Sequence, residues 1–257
     1  MAVALPIPLV DPVTSAVRSF RPVISCFALS CKNGLRNSLW HSRTGLSNSK
    51  FASMGGMDND TSARPRLTPK GERTRARIVE EAAALIHERG VAGTTLEDVK
   101  AAAGVSGSQL YHYFPDKDEL VQAVIDYQAD AIVNRNRRAL SSANGVETWR
   151  NMVLTAAKRT KAKGGCALGS LAGQLAESDP EARALIAAGF DQWAAAIADG
   201  LRSLHADGKL PPGIDPDDLA VTLLATLEGA LLLAQVHRDT RPIETAVNTL
   251  LALAIGR

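Results

Sequence analysis

The chain has 257 residues, 46% of them apolar and only 4% aromatic, with a formal net charge of +2. That length can hold one or two compact domains with a real core, and a composition rich in Ala, Leu and Val but poor in aromatics favours packed helices over sheets. No apolar run approaches the ~18–20 residues of a membrane span. The three cysteines, Cys26, Cys31 and Cys166, make neither a disulfide framework nor a zinc set, so a reducing, cytoplasmic setting with no cofactor, metal or membrane partner is expected.

Residues 1–57 are rich in Ser, Asn, Arg and Pro and lack sustained periodicity. They hold Arg18, Arg21, Lys32, Arg36, Arg43 and Lys50 against Asp11, a local charge of +5 that leaves −3 for the remainder. This character imitates a targeting peptide, but no apolar segment with a convincing cleavage site follows. The expectation is an over-extended start, with the functional chain beginning at Met57 or nearby; a disordered extension is the alternative. From Arg64 to Arg77 six basic residues (Arg64, Arg66, Lys70, Arg73, Arg75, Arg77) face only Glu72, which reads as an electrostatic footprint for phosphates or as a solvated tail.

From Lys70 the pattern is helical. A first helix runs to about Glu88, with Ile78, Ala82, Leu85 and Ile86 on one face, and stops at Gly90. Thr94 to Phe114 then reads as two short helices and a tight turn. Thr94-Thr95 with Glu97 and Asp98 is a hydroxyl cap followed by acids, Gly104 suits the left-handed end of a helix, and Ser106 with Gln109 is a second capping pair. Helix, glycine turn and serine-capped helix is the layout of a DNA-reading helix-turn-helix.

Within Ala101 to Leu120 the wording AGVSxxxLYxYFxxKxxL closely resembles the N-terminal signature of the tetracycline-repressor (TetR) family of bacterial transcriptional regulators. Thr74, Ile78, Ala82, Leu85 and Gly90, ahead of Thr94-Thr95, are similar to that family's opening helix. The resemblance is strong from about Glu72 to Val124 and diffuse afterwards. It implies an all-α fold: a helix-turn-helix DNA-binding domain over residues 70–117, then a helical ligand-binding and dimerisation bundle over 118–257.

Read from the residues, Ser106, Gly107, Ser108, Gln109, Tyr111 and His112 occupy the turns that would enter a major groove. Gln109 can present a bidentate amide to adenine and Ser108 a flexible donor-acceptor. Tyr111, Tyr113 and Lys117 suit phosphate contacts, with Thr94 and Thr95 at the start of the motif. The resemblance implies phosphate roles for the tyrosine of LYxYF and the lysine after Pro115-Asp116. Phe114 is expected to plug the core. The family often has lysine where Gly107 stands, so contacts from Arg64, Arg66 or Lys117 gain weight. Together with GSQLYHYF, the stretch Gly164-Gly165-Cys166-Ala167-Leu168-Gly169-Ser170-Leu171 resembles, over a short span, the LmrA/YxaF-type branch.

Pro115 to Glu119 starts a long helix with an Asp116 cap and a stripe of Leu120, Val124, Tyr127 and Ala131, ending near Leu140. Further helices are expected around Trp149 to Lys161, from Asp179-Pro180 with Ile186, Phe190, Trp193, Ile197, Leu201 and Leu204, from Asp215-Pro216, and from Arg241-Pro242. Leu219 to Val236 carries Thr222, Thr226, Glu228 and Gln235, so it reads as a buried or interfacial helix.

Cys166, Gln174, Trp193, Gln235 and His237 form a sparse polar set inside apolar helices, either effector anchors or ordinary core. Leu223, Leu227, Leu231, Val247, Leu250 and Leu251 are the expected dimer interface. Enzyme chemistry is excluded by scattered His, no HExxH, no Gly-rich phosphate loop, and Ser108 where a GxSxG elbow needs glycine.

The sequence therefore reads as a homodimeric regulator of transcription on double-stranded operator DNA, a repressor released by a small-molecule effector. The alternatives are thiol sensing through Cys166, or a helical ligand-binding dimer that acts through a protein partner without DNA.

Overall fold

The computed structural model describes residues 67–142 and 144–255. The 1–57 extension, Arg64 and Arg66 lie outside the described residues. Among the described residues there are nine helices and no strand, as the all-α reading expects.

Three helices form the head: α1 (Pro69–Arg89), α2 (Leu96–Ala103) and α3 (Gly107–Tyr113). Each start is set by a side chain. Thr68 accepts from the Gly71 N–H with Pro69 at the first helical position, and Thr95 and Ser106 each complete a reciprocal capping box, with Asp98 and Gln109. Gly104 ends α2 at φ 59°, ψ 44°, a left-handed conformation that glycine adopts without a Cβ clash. Leu110 and Phe114 leave α3 inward and are fully buried with Ile78 and Val99. The Arg75 guanidinium lies 5.0 Å above the Phe114 ring.

The bundle follows: α4 (Lys117–Leu140), α5 (Gly145–Thr160), α6 (Ala167–Leu175), α7 (Pro180–Ala206), α8 (Pro216–His237) and α9 (Arg241–Ile255). Helix α4 packs on α7, α7 on α8 and α8 on α9, while α1 docks the head on α4. The close α4–α7 approach needs Gly189, where a Cβ would come within 2.9 Å of the Ala129 Cβ. One apolar cluster runs from Ile78 and Leu110 through Leu120 and Val124 to Trp149, Trp193, Ile197, Leu227 and Ile243. Each fully buried aliphatic of this kind contributes roughly 1.5–3 kcal/mol relative to exposure.

Four expectations are corrected. Helix α6 was not foreseen: its cap is the weak acceptor Cys166, and Gly169 and Gly173 dilute its pattern. In α4 the stripe fails halfway: Leu120 and Val124 are buried, but Tyr127 and Ala131 are exposed. Helix α8 is long and apolar enough by length and composition to cross a membrane, with mean hydropathy 1.9, although Leu219, Leu223, Leu227 and Ala234 are buried in the bundle. Finally, most of the expected dimer contacts are internal. Leu223, Leu227, Val247 and Leu251 are buried within the single chain, and Leu231 and Leu250 are half-buried against its core. The exposed apolar face of this helix pair consists of Val221, Leu232, Leu233 and Val236 on α8 and Leu253 on α9; Leu232 is 61% and Val236 70% exposed.

Candidate nucleic-acid interface and bundle cleft

Helix α3 stands with Ser108, Gln109, Tyr111 and His112 exposed and Leu110 buried beneath them. Its N-terminus is held by the Ser106 hydroxyl, which accepts from the Gln109 N–H at 3.2 Å, while Gln109 Oε1 accepts from the Ser106 N–H at 3.0 Å. The bidentate reading of Gln109 is therefore narrowed: its amide oxygen is used by the cap, and Nε2 is the end left for an outside acceptor. The Ser108 and Ser106 hydroxyls are paired at 3.0 Å. At Gly107 a Cβ would meet open space, and Tyr113 is half-buried with its ring edge-on to His112 at 5.0 Å.

The two threonines of the motif divide. Thr95 is exposed, and its cap on Asp98 holds that carboxyl below the usual carboxylate range, chiefly through the Thr95 hydroxyl. Thr94 is 2% exposed and its hydroxyl donates to the Gly90 carbonyl at 2.9 Å. It braces the α1–α2 turn and is removed from the solvent-facing set. Lys117 is also engaged internally: Nζ donates to the Val91 carbonyl at 2.6 Å.

Val91 is gripped on both sides, because its N–H donates to Gln174 Oε1 at 2.8 Å. Gln174 in turn anchors itself by donating from Nε2 to the Ser170 carbonyl at 3.0 Å. Expected as an effector anchor, Gln174 instead ties α6 to the loop between α1 and α2. Its distance in sequence from Val91 left no local signal for that pairing.

A cleft of about 500 Å³ opens between α1, α4 and α5, with α7, α8 and α9 at its back. Trp193 and Cys166 contribute to its wall as expected; Gln235 does not, and its side chain lies against Gly165 instead. Residues not anticipated are Tyr127, His87, Arg135, Arg159 and Lys163, together with Asn136. Asn136 is buried, accepts from Trp149 Nε1 at 2.6 Å and donates to the Ile132 carbonyl at 2.8 Å. Trp193 stacks on Phe190 with centroids 6.4 Å apart, and its own Nε1 is buried without an acceptor. The loop closing the cleft after α5 places Lys161 and Ala162 at φ 51° and 55°, a region that side chains enter at a cost.

Cys166 caps α6, its Sγ accepting from the Gly169 N–H at 3.4 Å. Burial first, and then the adjacent Glu228 carboxyl, pushes its thiol up to about 12. Such a thiol is protonated at neutral pH and poor in nucleophilic thiolate, which argues against the sensing alternative. Burial also raises the Glu228 carboxyl, and its Oε1 has no hydrogen-bond partner. Among the described residues no group of His, Cys, Asp and Glu is arranged to hold a metal ion.

Comparison with known proteins accounts for this layout. Residues 78–124 match the family model described as bacterial regulatory proteins, tetR family, and residues 145–250 match the model described as tetracyclin repressor-like, C-terminal domain. An uncharacterized HTH-type transcriptional regulator of Mycobacterium tuberculosis is 34% identical over 183 residues, covering 66% of this chain and 88% of the relative. The HTH-type transcriptional repressor DhaR of a Mycobacterium species is 25% identical over 171 residues, covering 66% and 86%. The crystal structure of a TetR transcriptional regulator from Chloroflexus aurantiacus superposes with a TM-score of 0.62 at 31% identity, covering 72% of this chain and 97% of that one. With both halves matched and the head geometry intact, the chain belongs to the TetR family of DNA-binding transcriptional regulators.

Proposed function

We propose that this chain is a ligand-responsive repressor that holds operator DNA as a homodimer and releases it when a small molecule occupies the cleft. The observation that carries this reading is the position of the cleft. One wall is α1 of the head, with Glu80 and His87, and the others belong to the bundle. Four residues beyond His87, Val91 connects the head to α4 through Lys117 and to α6 through Gln174. A ligand that spreads the cleft therefore acts on the joint that orients the head. It favours release only by binding the spread form more tightly than the form that fits the operator.

In this reading residues 70–117 serve DNA and 118–257 serve ligand and dimer, with α4 beginning at the boundary. Ser108, Gln109 Nε2, Tyr111 and His112 meet the groove and its phosphates, and phosphate contacts are also assigned to Thr95, Arg64 and Arg66. The remaining protons of Lys117 are available to a phosphate. A second copy covers the exposed α8–α9 face, which sets two α3 helices about one DNA turn, or a multiple, apart. Regulators of this family are typically cytoplasmic, which agrees with that assignment here.

The test fills the cleft by mutation. Ala156 on α5 borders it, so Ala156→Trp places an indole in the volume a ligand would take. Anisotropy titrations use a labelled duplex from upstream of the chain's own gene. The expected result is weakening by about tenfold or more, the scale of typical allosteric coupling, in a variant that remains dimeric and melts cooperatively. Unchanged affinity in that folded variant contradicts the reading.

A further inference from the structure

The charge around the cleft is lopsided. Arg135 on α4, Arg159 in the last turn of α5 and Lys163 in the following loop all border it, and Glu80 is the one acid in its lining. Several other cations of the bundle are paired, among them Arg150 with Glu147, Lys158 with Glu244, and Arg202 with Asp199 and Asp217, whereas Arg138, Lys161 and Arg238 have no ion-pair partner among the described residues and do not border the cleft. The charged groups of Arg135, Arg159 and Lys163 have no hydrogen-bond or ion-pair partner among the described residues. A cation near the end of α5 complements that helix's C-terminal pole, which accounts for Arg159 alone. It does not account for Arg135, which precedes the buried Asn136 in the wall of the same cleft.

The interior suits the rest of a ligand drawn to that charge. Ile132, Leu227, Ala234 and Ile243 are buried and supply an apolar back. The Asn136 amide in the wall is already engaged, its oxygen by Trp149 and its nitrogen by the Ile132 carbonyl, so the charge at the rim sets the preference for a ligand's polar head. Three cations against one acid at the rim favour a ligand with an anionic head and oppose an ammonium group by like-charge repulsion.

Resting on the cleft as the effector site, we propose that its ligand is an amphipathic organic acid: a carboxylate held at the rim by Arg135, Arg159 and Lys163, with a hydrocarbon body on the apolar back. Arginine's planar fork matches a carboxylate in two parallel hydrogen bonds, and lysine adds a mobile point charge. The volume suits a body of one or two rings or a medium acyl chain.

The experiment uses the full chain and six probes: a naphthyl and an octyl body, each carrying a carboxylate, a primary amide or an ammonium head. Calorimetry gives their affinities for the wild-type chain and for the triple variant Arg135→Gln, Arg159→Gln, Lys163→Gln. The expected result is a carboxylate preference of about tenfold over the amide for at least one body, the combined size of three exposed ion pairs, and weaker binding still for the ammonium. The triple variant should lose the preference while keeping the amide affinity. Amide and carboxylate binding equally to the wild type would overturn the acid assignment and leave the effector cleft standing. A carboxylate preference that survives the triple substitution would also overturn it, by moving the acid elsewhere. Binding of none of the six overturns the assignment and the effector cleft together.

Discussion

The head and the α8–α9 pair are built on opposite principles. In the head, short helices of seven and eight residues are held in place by their ends: hydroxyl caps, reciprocal boxes and a left-handed glycine. Only a few side chains, Leu110 and Phe114 foremost, seal it to the rest. Helices α8 and α9 are 22 and 15 residues long and are apolar on more than one face, so burial decides their placement even though Asp215 caps the start of α8. The difference teaches where specificity resides. Polar caps fix a position locally, whereas a helix that is apolar around much of its circumference leaves it to its neighbours to choose which side becomes core and which becomes interface.

Removing the head's seal gives the largest effect. Leu110→Ala leaves a cavity at a fully buried site and should cost roughly 2–5 kcal/mol in urea unfolding. It should weaken binding to every DNA sequence together. A smaller loss with altered base preference would mean that Leu110 is not structural. At the other pole, Leu232→Glu with Val236→Glu should yield folded monomers by sedimentation, because both side chains are exposed in the single chain. Persistence of the dimer would place the interface away from this face.

The head's dependence on its ends is tested more gently by Ser106→Ala. Losing that cap should cost about 1 kcal/mol and weaken operator binding. No loss would show that α3 is placed by packing alone.

A pH effect separates the two regions further. Burial raises the Glu228 carboxyl, so folding favours its protonated form. Its contribution to stability is best below the ordinary carboxylate range and is lost as pH rises toward the raised folded value. Glu228→Gln should therefore raise the melting temperature more at pH 8 than at pH 5. Asp98 in the head runs the other way: its lowered carboxyl supports folding at neutral pH, and that support is lost in acid. Equal effects of Glu228→Gln at both pH values would mean that burial does not penalise this carboxylate.

The mildest test is an addition. A side chain at Gly107 would enter open space at the start of α3, so Gly107→Lys should steepen the salt dependence of DNA binding by about one unit. An unchanged slope would place this turn away from the phosphates.

Legibility in the sequence followed the same division. The head could be read because its signals are local: Thr95 with Asp98, Ser106 with Gln109, and Gly104 each lie within a few residues of their partners. What went unread there was burial, since nothing local distinguishes Thr94, turned onto the Gly90 carbonyl, from the exposed Thr95. In the bundle the helix starts with Asp-Pro caps were legible, but α6, capped by a cysteine and interrupted by glycines, was not. Leucines of α8 and α9 were visible as apolar, yet Leu223 and Leu232 look alike until α7 and α9 are in place. Gln174 and Val91, far apart in the chain, carried no mark of their contact.

That contact joins the head to α6, whose first residue Ala167 borders the cleft, and a double-mutant cycle tests its role most directly. Operator affinity is measured for the wild type, for Ala156→Trp, for Gln174→Ala, and for the two combined. If the Gln174–Val91 bond transmits the state of the cleft to the head, filling the cleft should cost about tenfold when Gln174 is present and several-fold less when it is absent. The same loss in both backgrounds would contradict the account.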